Sequence, residues 1–265
     1  MKFIFNTDDY KFSRYRKNEE GMSGKLYLAT NKEDENDLWV VKGEFFDHAL
    51  NEFVISMFAN ELNVLVPECK LAFYRDKLAA FIKYLPNIRL LSKKEAQEDA
   101  EVFEDYLKQF FIGAVFYNDD HLEVFIDDEK RVWQLDNAEG GLGSLKFHMR
   151  VLEMSEADKR FKEHFVNYIK GMEEKAEKHL RFAVKNVSEY DIGRQIAFNT
   201  LLDIIKLGEN SESNDNIKGM FEAITKLLAN GENIARLYAT YLSSICNAAK
   251  KILVEFYSEN IHTTD

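Results

Sequence analysis

Apolar residues recur along the chain with two different spacings, which divide it into a mixed first third and a helical remainder. Alternating or β-branched runs in the first third predict strands over Lys25–Thr30, Leu38–Lys42, Cys69–Tyr74 and Leu78–Tyr84. Between the second and third of these strands, Phe46–Leu62 carries apolar residues three and four positions apart, which predicts an amphipathic helix. The pattern changes near residues 84–95, where Leu85-Pro86-Asn87 interrupts it.

Helical spacing dominates the rest of the chain. Lys93–Val115 has an apolar face that is unusually aromatic, which predicts one central core helix. Two short strands, Val124–Ile126 and Val132–Leu135, are predicted after the polar cluster Asn118–His121. Residues 153–260 predict three to five further helices, with a loop at Gly208–Asp215 and a break at Gly231.

Composition supports a folded, helix-rich protein. Hydrophobic residues make up 46% of the 265 positions, enough apolar surface to offset the entropy cost of ordering the chain. The chain has only 12 Gly and 2 Pro, which argues against a turn-dense β-sandwich or barrel. Its net charge of -11 disfavours nucleic acid and anionic membranes as partners.

The cysteines and the apolar runs bear on localisation. Cys69 and Cys246 are far apart in the sequence, so neither a disulfide framework nor a zinc knuckle is predicted. The sequence shows no signal peptide at its start and no transmembrane segment. We therefore expect a cytoplasmic protein in the producing cell, and any export would need a route without a cleaved leader.

Two acidic positions flank the predicted short hairpin. Asp119-Asp120-His121 precedes it, and Asp136-Asn137 ends its second strand. In phosphoryl transfer, one carboxylate orients the attacking hydroxyl while another holds the divalent metal that bridges the nucleotide phosphates. The alternative interpretation is structural, because Asp and Asn are also the usual residues of turns.

The first third supplies further parts in the order in which a kinase uses them. Gly21-Met22-Ser23-Gly24 would let backbone N–H groups approach phosphates, and Lys42 at a strand end would bind them. Glu52 on the following helix would orient Lys42 by an ion pair. The stretch Lys83-Tyr84-Leu85 would be a hinge whose backbone meets adenine. Taken singly, these residues also fit an ordinary hairpin turn, a solvated lysine and a solvated helix face.

These motifs resemble the atypical members of the protein kinase superfamily. Asp119-Asp120-His121 is similar to the Asp-x-His element shared by HipA-type kinases, phosphatidylinositol kinases and the secretory-pathway casein kinase of the Golgi. Leu135-Asp136-Asn137 resembles the Asp-Asn-Gly metal-binding motif of that Golgi family. Asn51-Glu52 and Leu65-Val66-Pro67-Glu68 are similar to the corresponding HipA segment. The resemblance spans about residues 20–145.

The resemblance implies an α+β, bilobed kinase-like fold, with a small β-rich lobe over residues 1–86 and a large helical lobe over 87–265. It implies an ATP-dependent phosphotransferase that uses Mg²⁺ or Mn²⁺ and acts on a protein substrate. Asp119 would be the catalytic residue, Asp136 would hold the metal, and His121 would orient the catalytic loop. The glycine-bearing loop and Lys42 would hold the phosphates.

One departure from these families bears on catalysis. HipA-type and lipid kinases carry a metal-binding Asn five residues after the catalytic Asp, and this position is Val124 here. Glu123 offers a substitute oxygen ligand for a hard cation. Alternatives to an active kinase are a pseudokinase that serves as a nucleotide-binding or regulatory protein, an enzyme of the same fold that transfers AMP, and a helical interaction scaffold.

The region after the hairpin suggests how such an enzyme would be regulated. Basic residues between Arg150 and Lys185 are interleaved with glutamates, which is typical of a solvated helix with i, i+4 ion pairs. A small polyanion bound there as an activator is the competing interpretation. The composition, rich in Asn, Lys, Glu, Ile and Phe, resembles that of AT-rich bacterial genomes, so both an effector kinase translocated into a host cell and a HipA-like toxin fit.

Overall fold

The first third of the chain forms an antiparallel sheet. A computed structural model describes residues 2–15, 26–43, 46–116, 123–135 and 157–261 of the protein. The strands are β1 (Tyr10–Arg14), β2 (Tyr27–Asn31), β3 (Leu38–Lys42), β4 (Cys69–Tyr74) and β5 (Lys77–Lys83). They lie in the order β1-β2-β3-β5-β4 in a five-stranded sheet. The four predicted strands are confirmed with small shifts at their ends, and β1 is an additional strand.

The helix α1 (Phe46–Glu61) covers one face of this sheet, as the spacing of its apolar residues predicts. It packs against β4 and β5, and its side chains Leu50, Phe53 and Val54 are fully buried. Their burial removes apolar surface from water and fixes the helix against the sheet.

The opposite face of the sheet carries an aromatic cluster. Phe5 stacks on Phe81 with ring centroids 4.0 Å apart and lies edge-on to Trp39 at 5.1 Å. The segment before β1 reaches this position by pairing with β4, since the Phe5 N–H donates to the Leu71 carbonyl at 2.9 Å. The start of the chain therefore pairs with β4 at one edge of the sheet before entering β1 at the other edge, and Phe5 fills the space between.

A second, smaller sheet follows the first. It contains β6 (Arg89–Leu90), β7 (Val124–Ile126) and β8 (Val132–Gln134), three antiparallel strands in that order. The prediction of one helix over Lys93–Val115 is wrong, because the chain forms α2 (Lys93–Ala96) and then α3 (Ala100–Phe116). The Asp99 carboxylate accepts hydrogen bonds from the N–H groups of Glu101 and Val102, which starts α3 as a separate helix.

The rest of the described chain is helical. Its helices are α4 (Lys159–Val187), α5 (Gly193–Glu209), α6 (Asp215–Leu227) and α7 (Gly231–Ile261). They confirm the predicted number of helices, the loop before Asp215 and the break at Gly231. The helix α7 packs against α4, α5 and α6, and one continuous core joins these helices to α1 and α3. Within the described residues, none of the helices has the length and hydropathy needed to cross a bilayer.

Candidate functional site

A cleft of about 450 Å³ opens between the five-stranded sheet and the second sheet. Its walls come from the ends of β1 and β2, from β3, α1, β5 and the segment after β5, and from β7 and β8. The residues that line it include Tyr15, Val40, Lys42, Glu52, Ser56, Ile82, Lys83, Tyr84, Leu85, Glu123 and Phe125.

Lys42 and Glu52 form an ion pair in this cleft. Lys42 is the last residue of β3, and Glu52 lies on the face of α1 that turns toward that strand end. The Glu52 side chain is only 2% exposed, whereas that of Lys42 is 20% exposed. Because a buried carboxylate is costly without a partner, the pair fixes the position of the ammonium group at the cleft surface.

Next to this pair, the cleft has an apolar wall. Val40 and Ile82 are direct partners in the β3–β5 ladder, so both side chains lie on the same face of the sheet as Lys42. Phe125 of β7 lines the cleft from the second sheet. The cleft therefore has apolar lining residues on both sheets, near the Lys42 cation.

Cys69 lies behind the ion pair and is 5% exposed. Burial raises the pKa of its thiol well above the usual range, and the nearby Glu52 carboxylate raises that pKa further. The thiol therefore stays protonated near neutral pH, which makes it a poor nucleophile and a poor metal ligand.

The predicted hinge residues Lys83, Tyr84 and Leu85 all line the cleft. The ammonium group of Lys83, however, pairs with Asp37 and lies 5.1 Å from the centre of the Trp39 ring. The N–H groups of Lys83 and Tyr84 donate to backbone carbonyls, whereas that of Leu85 makes no hydrogen bond with the described chain. Leu85 therefore lines the cleft with a backbone N–H that has no acceptor among the described residues.

Tyr15, which follows β1, interacts with Tyr84 of the predicted hinge, and both residues line the cleft. Burial raises the pKa of Tyr15, and its interaction with the Tyr84 hydroxyl raises that pKa further. Tyr15 also precedes the predicted phosphate loop at Gly21–Gly24. This interacting tyrosine pair lines the cleft beside the predicted hinge.

At the start of β7, two neighbouring residues have opposite environments. Glu123 is exposed and lines the cleft, while Val124 is 3% exposed and belongs to the hydrophobic core. An oxygen ligand contributed by this strand start would therefore come from the Glu123 side chain and not from that of residue 124.

The sequence matches no protein-family model and no curated protein. Among solved structures, it is similar to a crystal structure of a Helicobacter pylori proinflammatory kinase, CtkA, with a TM-score of 0.55 and 12% sequence identity. The similarity covers 88% of this chain and 95% of that chain. The chain has a kinase-like fold.

The other predicted site residues lie outside the described residues. They are Gly21, Ser23 and Gly24 of the phosphate loop, Asp119 and His121 of the catalytic loop, and the metal ligand Asp136. Their roles stay predictions, as do the ligand-binding roles of Lys42, Glu52, Lys83, Tyr84, Leu85 and Glu123. Among the described residues, no three His, Cys, Asp or Glu side chains are grouped as a metal site.

Several cleft residues were not predicted from the sequence. Tyr15 and Phe125 carry no motif, and only the pairing of their strands places them at the cleft. Ser56 is different, because it lies one helical turn after Glu52 and is 5% exposed. Residues four positions apart on a helix lie on the same face, so the spacing of Ser56 from Glu52 could have predicted that Ser56 also faces the cleft.

Proposed function

We propose that this protein is an ATP-dependent phosphotransferase of the atypical kinase type, transferring the γ-phosphate to a hydroxyl of a protein substrate. The ion pair between Lys42 and Glu52 is the observation that carries the proposal. It lies in a cleft between two sheets of a kinase-like fold, together with the apolar lining residues Val40, Ile82 and Phe125. An ammonium group held by a carboxylate in such a cleft suits the α- and β-phosphates of a nucleotide.

The adenine would lie against these apolar residues. Val40 and Ile82 would contact one face of the base, and Phe125 would contact the other. The Leu85 N–H would donate to a ring nitrogen, because it has no acceptor among the described residues. In this proposal, the hinge contributes its backbone, and the Lys83 side chain stays with Asp37.

The residues present suit a bound Mg²⁺ or Mn²⁺. Glu123 lines the cleft, and Asp136 follows β8 along the chain by two residues, so both would supply the oxygen ligands that hard cations prefer. The metal would supply charge neutralisation of the triphosphate. Lys42 would orient the phosphates, and Asp119 would accept the proton of the attacking hydroxyl.

The biological setting follows from the same proposal. The Helicobacter pylori neighbour is named a proinflammatory kinase. A role for the present chain as a bacterial effector kinase, made in the cytoplasm and translocated into a host cell, is consistent with that likeness.

Calorimetric titration with ATP, with and without Mg²⁺, tests the nucleotide site. We expect Lys42→Ala to weaken binding by about tenfold or more, the scale of one charged hydrogen bond. Asp136→Ala should remove the dependence of binding on Mg²⁺. The matched control is Lys70→Ala, because Lys70 is also an ion-paired strand lysine but lies over the Trp39 ring on the other face of the sheet. Equal affinities in all four proteins would remove the proposed site.

A second measurement separates chemistry from binding. We expect Asp119→Ala to bind Mg²⁺-ATP nearly as the wild type does and to lose autophosphorylation. Intact-mass measurement of the wild type after incubation with ATP should show added phosphoryl groups. A mass increase equal to AMP would instead assign the AMP-transferring alternative, and nucleotide binding without any adduct or substrate phosphorylation would assign the pseudokinase alternative.

A further inference from the structure

The helix that carries Glu52 is hydrogen-bonded to the C-terminal helices near its middle. The Tyr238 hydroxyl of α7 donates to Asn51 Oδ1 at 2.9 Å. Tyr238 is 1% exposed and Asn51 is 2% exposed, so the hydrogen bond is shielded from water. Asn51 is the residue immediately before Glu52.

The same helix is held a second time at its C-terminal end. Glu61, the last residue of α1, accepts hydrogen bonds from Asn214 Nδ2 and Asn216 Nδ2, each at 2.6 Å. Asn216 is the second residue of α6, and its Oδ1 also accepts a hydrogen bond from Lys2 Nζ at 2.9 Å. Two separate C-terminal helices therefore hold one N-terminal helix.

These contacts restrict the two motions that would separate Glu52 from Lys42. Neighbouring residues on a helix point about 100° apart, so Asn51 can face α7 while Glu52 faces β3. Rotation of α1 about its axis would break the buried hydrogen bond to Tyr238, and leaving a buried polar group without its partner is costly. Translation along the axis would break the hydrogen bonds of Glu61.

We propose that Tyr238 is a positioning residue for the Lys42–Glu52 ion pair, acting through Asn51, so that the C-terminal helices keep the nucleotide site assembled without a ligand. This inference deepens the proposed function and rests on it for its catalytic consequence. It assigns to the C-terminal helical region the task of holding α1 in place. Neither Tyr238 nor Asn51 needs to touch the nucleotide.

The rate at which Lys42 is acylated, measured without nucleotide, tests the positioning directly. Only the neutral amine attacks the carbonyl of an amine-reactive ester and displaces its leaving group, so an ammonium group held by a carboxylate reacts slowly. Peptide mass spectrometry gives the labelling rate of Lys42 relative to exposed lysines such as Lys218. Glu52→Gln defines the rate for Lys42 without the Glu52 carboxylate, and we expect Tyr238→Phe to raise the rate about threefold to tenfold toward that limit, the scale of one net hydrogen bond.

Tyr241→Phe is the matched control. Tyr241 is a buried tyrosine on the same helix, and its ring contacts Phe116 of α3. Removal of its hydroxyl should leave the labelling of Lys42 unchanged. If Tyr238→Phe also labels at the wild-type rate, or if both tyrosine variants raise the rate equally, Tyr238 has no specific positioning role.

The double variant Asn51→Leu, Tyr238→Phe tests the route of the effect. If Tyr238 acts through Asn51, the effects of the two substitutions on Lys42 labelling are not additive. Full additivity would overturn the proposed route. Thermal unfolding of each variant identifies any loss of fold, and Tyr238→Phe keeps the ring that packs in the core.

The ATP titration tests the proposed function, and the labelling of Lys42 tests the positioning role of Tyr238, so a negative result in one measurement does not decide the other. A wild type that does not bind ATP removes the proposed function, while the Lys42 labelling still decides whether Tyr238 positions the ion pair. A wild type that binds ATP, with Tyr238→Phe binding equally well and labelling like the wild type, leaves the function standing and removes this inference.

Discussion

At the scale of single residues, the Asp37 carboxylate joins four strands of the larger sheet. It accepts hydrogen bonds from Tyr10 of β1, Asn31 of β2, Trp39 of β3 and Lys83 of β5. Burial by itself would raise the pKa of Asp37, but these hydrogen bonds, that of Lys83 foremost, hold the pKa well below its usual range. The strand that leads into the hinge is therefore tied to its neighbours by one ionised group.

We predict that Asp37→Asn lowers the free energy of unfolding by about 1–3 kcal/mol at pH 7, the scale of hydrogen bonds to a charged group. The pKa of Asp37 is lower in the folded protein than in the unfolded chain, where it is about 4. Ionised Asp37 therefore stabilises the folded state above about pH 4, and this stabilisation is lost as the pH falls toward the folded-state pKa. Urea unfolding of both proteins should thus show a difference at pH 7 that shrinks below about pH 4. A difference independent of pH would contradict this account.

The site residues show which parts of the cleft are readable from sequence. Lys42 and Glu52 could be predicted to meet because a strand end and the helix after it are close along the chain. The side-chain position of Lys83 could not, because its partner Asp37 lies 46 residues earlier and meets it only through the β3–β5 pairing. The ion pair of Lys42 and Glu52 could be predicted because the two residues are close in the sequence. The position of the Lys83 side chain depends on the pairing of strands that are distant in the sequence.

At the scale of elements, the Asn214 side chain both caps α6 and connects that helix to α1. The Asn214 side-chain oxygen accepts hydrogen bonds from the N–H groups of Asn216 and Ile217, which caps the helix. Its Nδ2 donates to Glu61 of α1. Capping needs only the oxygen, whereas the contact with α1 needs the amide donor.

Asn214→Asp separates these two tasks. We expect the cap to persist, since Asp is an equally good N-cap residue, while a carboxylate placed against Glu61 lowers the free energy of unfolding by about 1–2 kcal/mol. Chemical denaturation at neutral pH measures the change. Adding Glu61→Gln to the same chain should recover part of the loss, and no recovery would mean that repulsion from Glu61 is not its cause.

The elements that the pattern missed have local physical causes. β1 is a short edge strand whose residues are exposed or half-buried, and its Phe12 packs on Tyr74 of β4 with ring centroids 4.5 Å apart. The break between α2 and α3 interrupts an apolar spacing that continues through it. Asp99 makes that break by capping α3 and pairing with Lys130, a contact that periodicity does not reveal.

The basic residues on α4 bear on the predicted polyanion activator. Arg160 pairs with Asp158, and Arg181 pairs with Glu177 and with Glu255 of α7. These contacts are of the kind expected for a solvated helix, and exposed pairs of this sort contribute little to stability. The activator stays a prediction.

At the scale of the whole molecule, the hydrophobic core does not stop at the boundary predicted near residue 86. One continuous set of buried side chains runs from α1 and β4 through α3 to the C-terminal helices. The division into a β-rich lobe over residues 1–86 and a helical lobe over 87–265 stays a prediction. A shared core of this extent favours unfolding in one step.

The two tryptophans of the chain allow a test of this cooperativity, because Trp39 lies in the larger sheet and Trp133 in the second sheet. We predict that Trp39→Phe and Trp133→Phe, each leaving one reporter, give fluorescence transitions in urea that coincide with the loss of helical circular dichroism in the same protein. Two separated midpoints in Trp133→Phe, which keeps Trp39, would show that the larger sheet unfolds independently of the helices, and two separated midpoints in Trp39→Phe would show the same for the second sheet.

The docking of the first few residues has a consequence for biosynthesis. Phe3 lies against Phe53 of α1, and a Cβ atom on Gly219 of α6 would come within 2.6 Å of the Phe3 ring. During translation, Phe3 leaves the ribosome long before α6 is synthesised. Its contact with Gly219 can form only after more than two hundred further codons have been translated. Until α6 has been synthesised, the segment that carries Phe3 lacks its contact with that helix. We therefore expect this segment to reach its final packing late, after translation of α6.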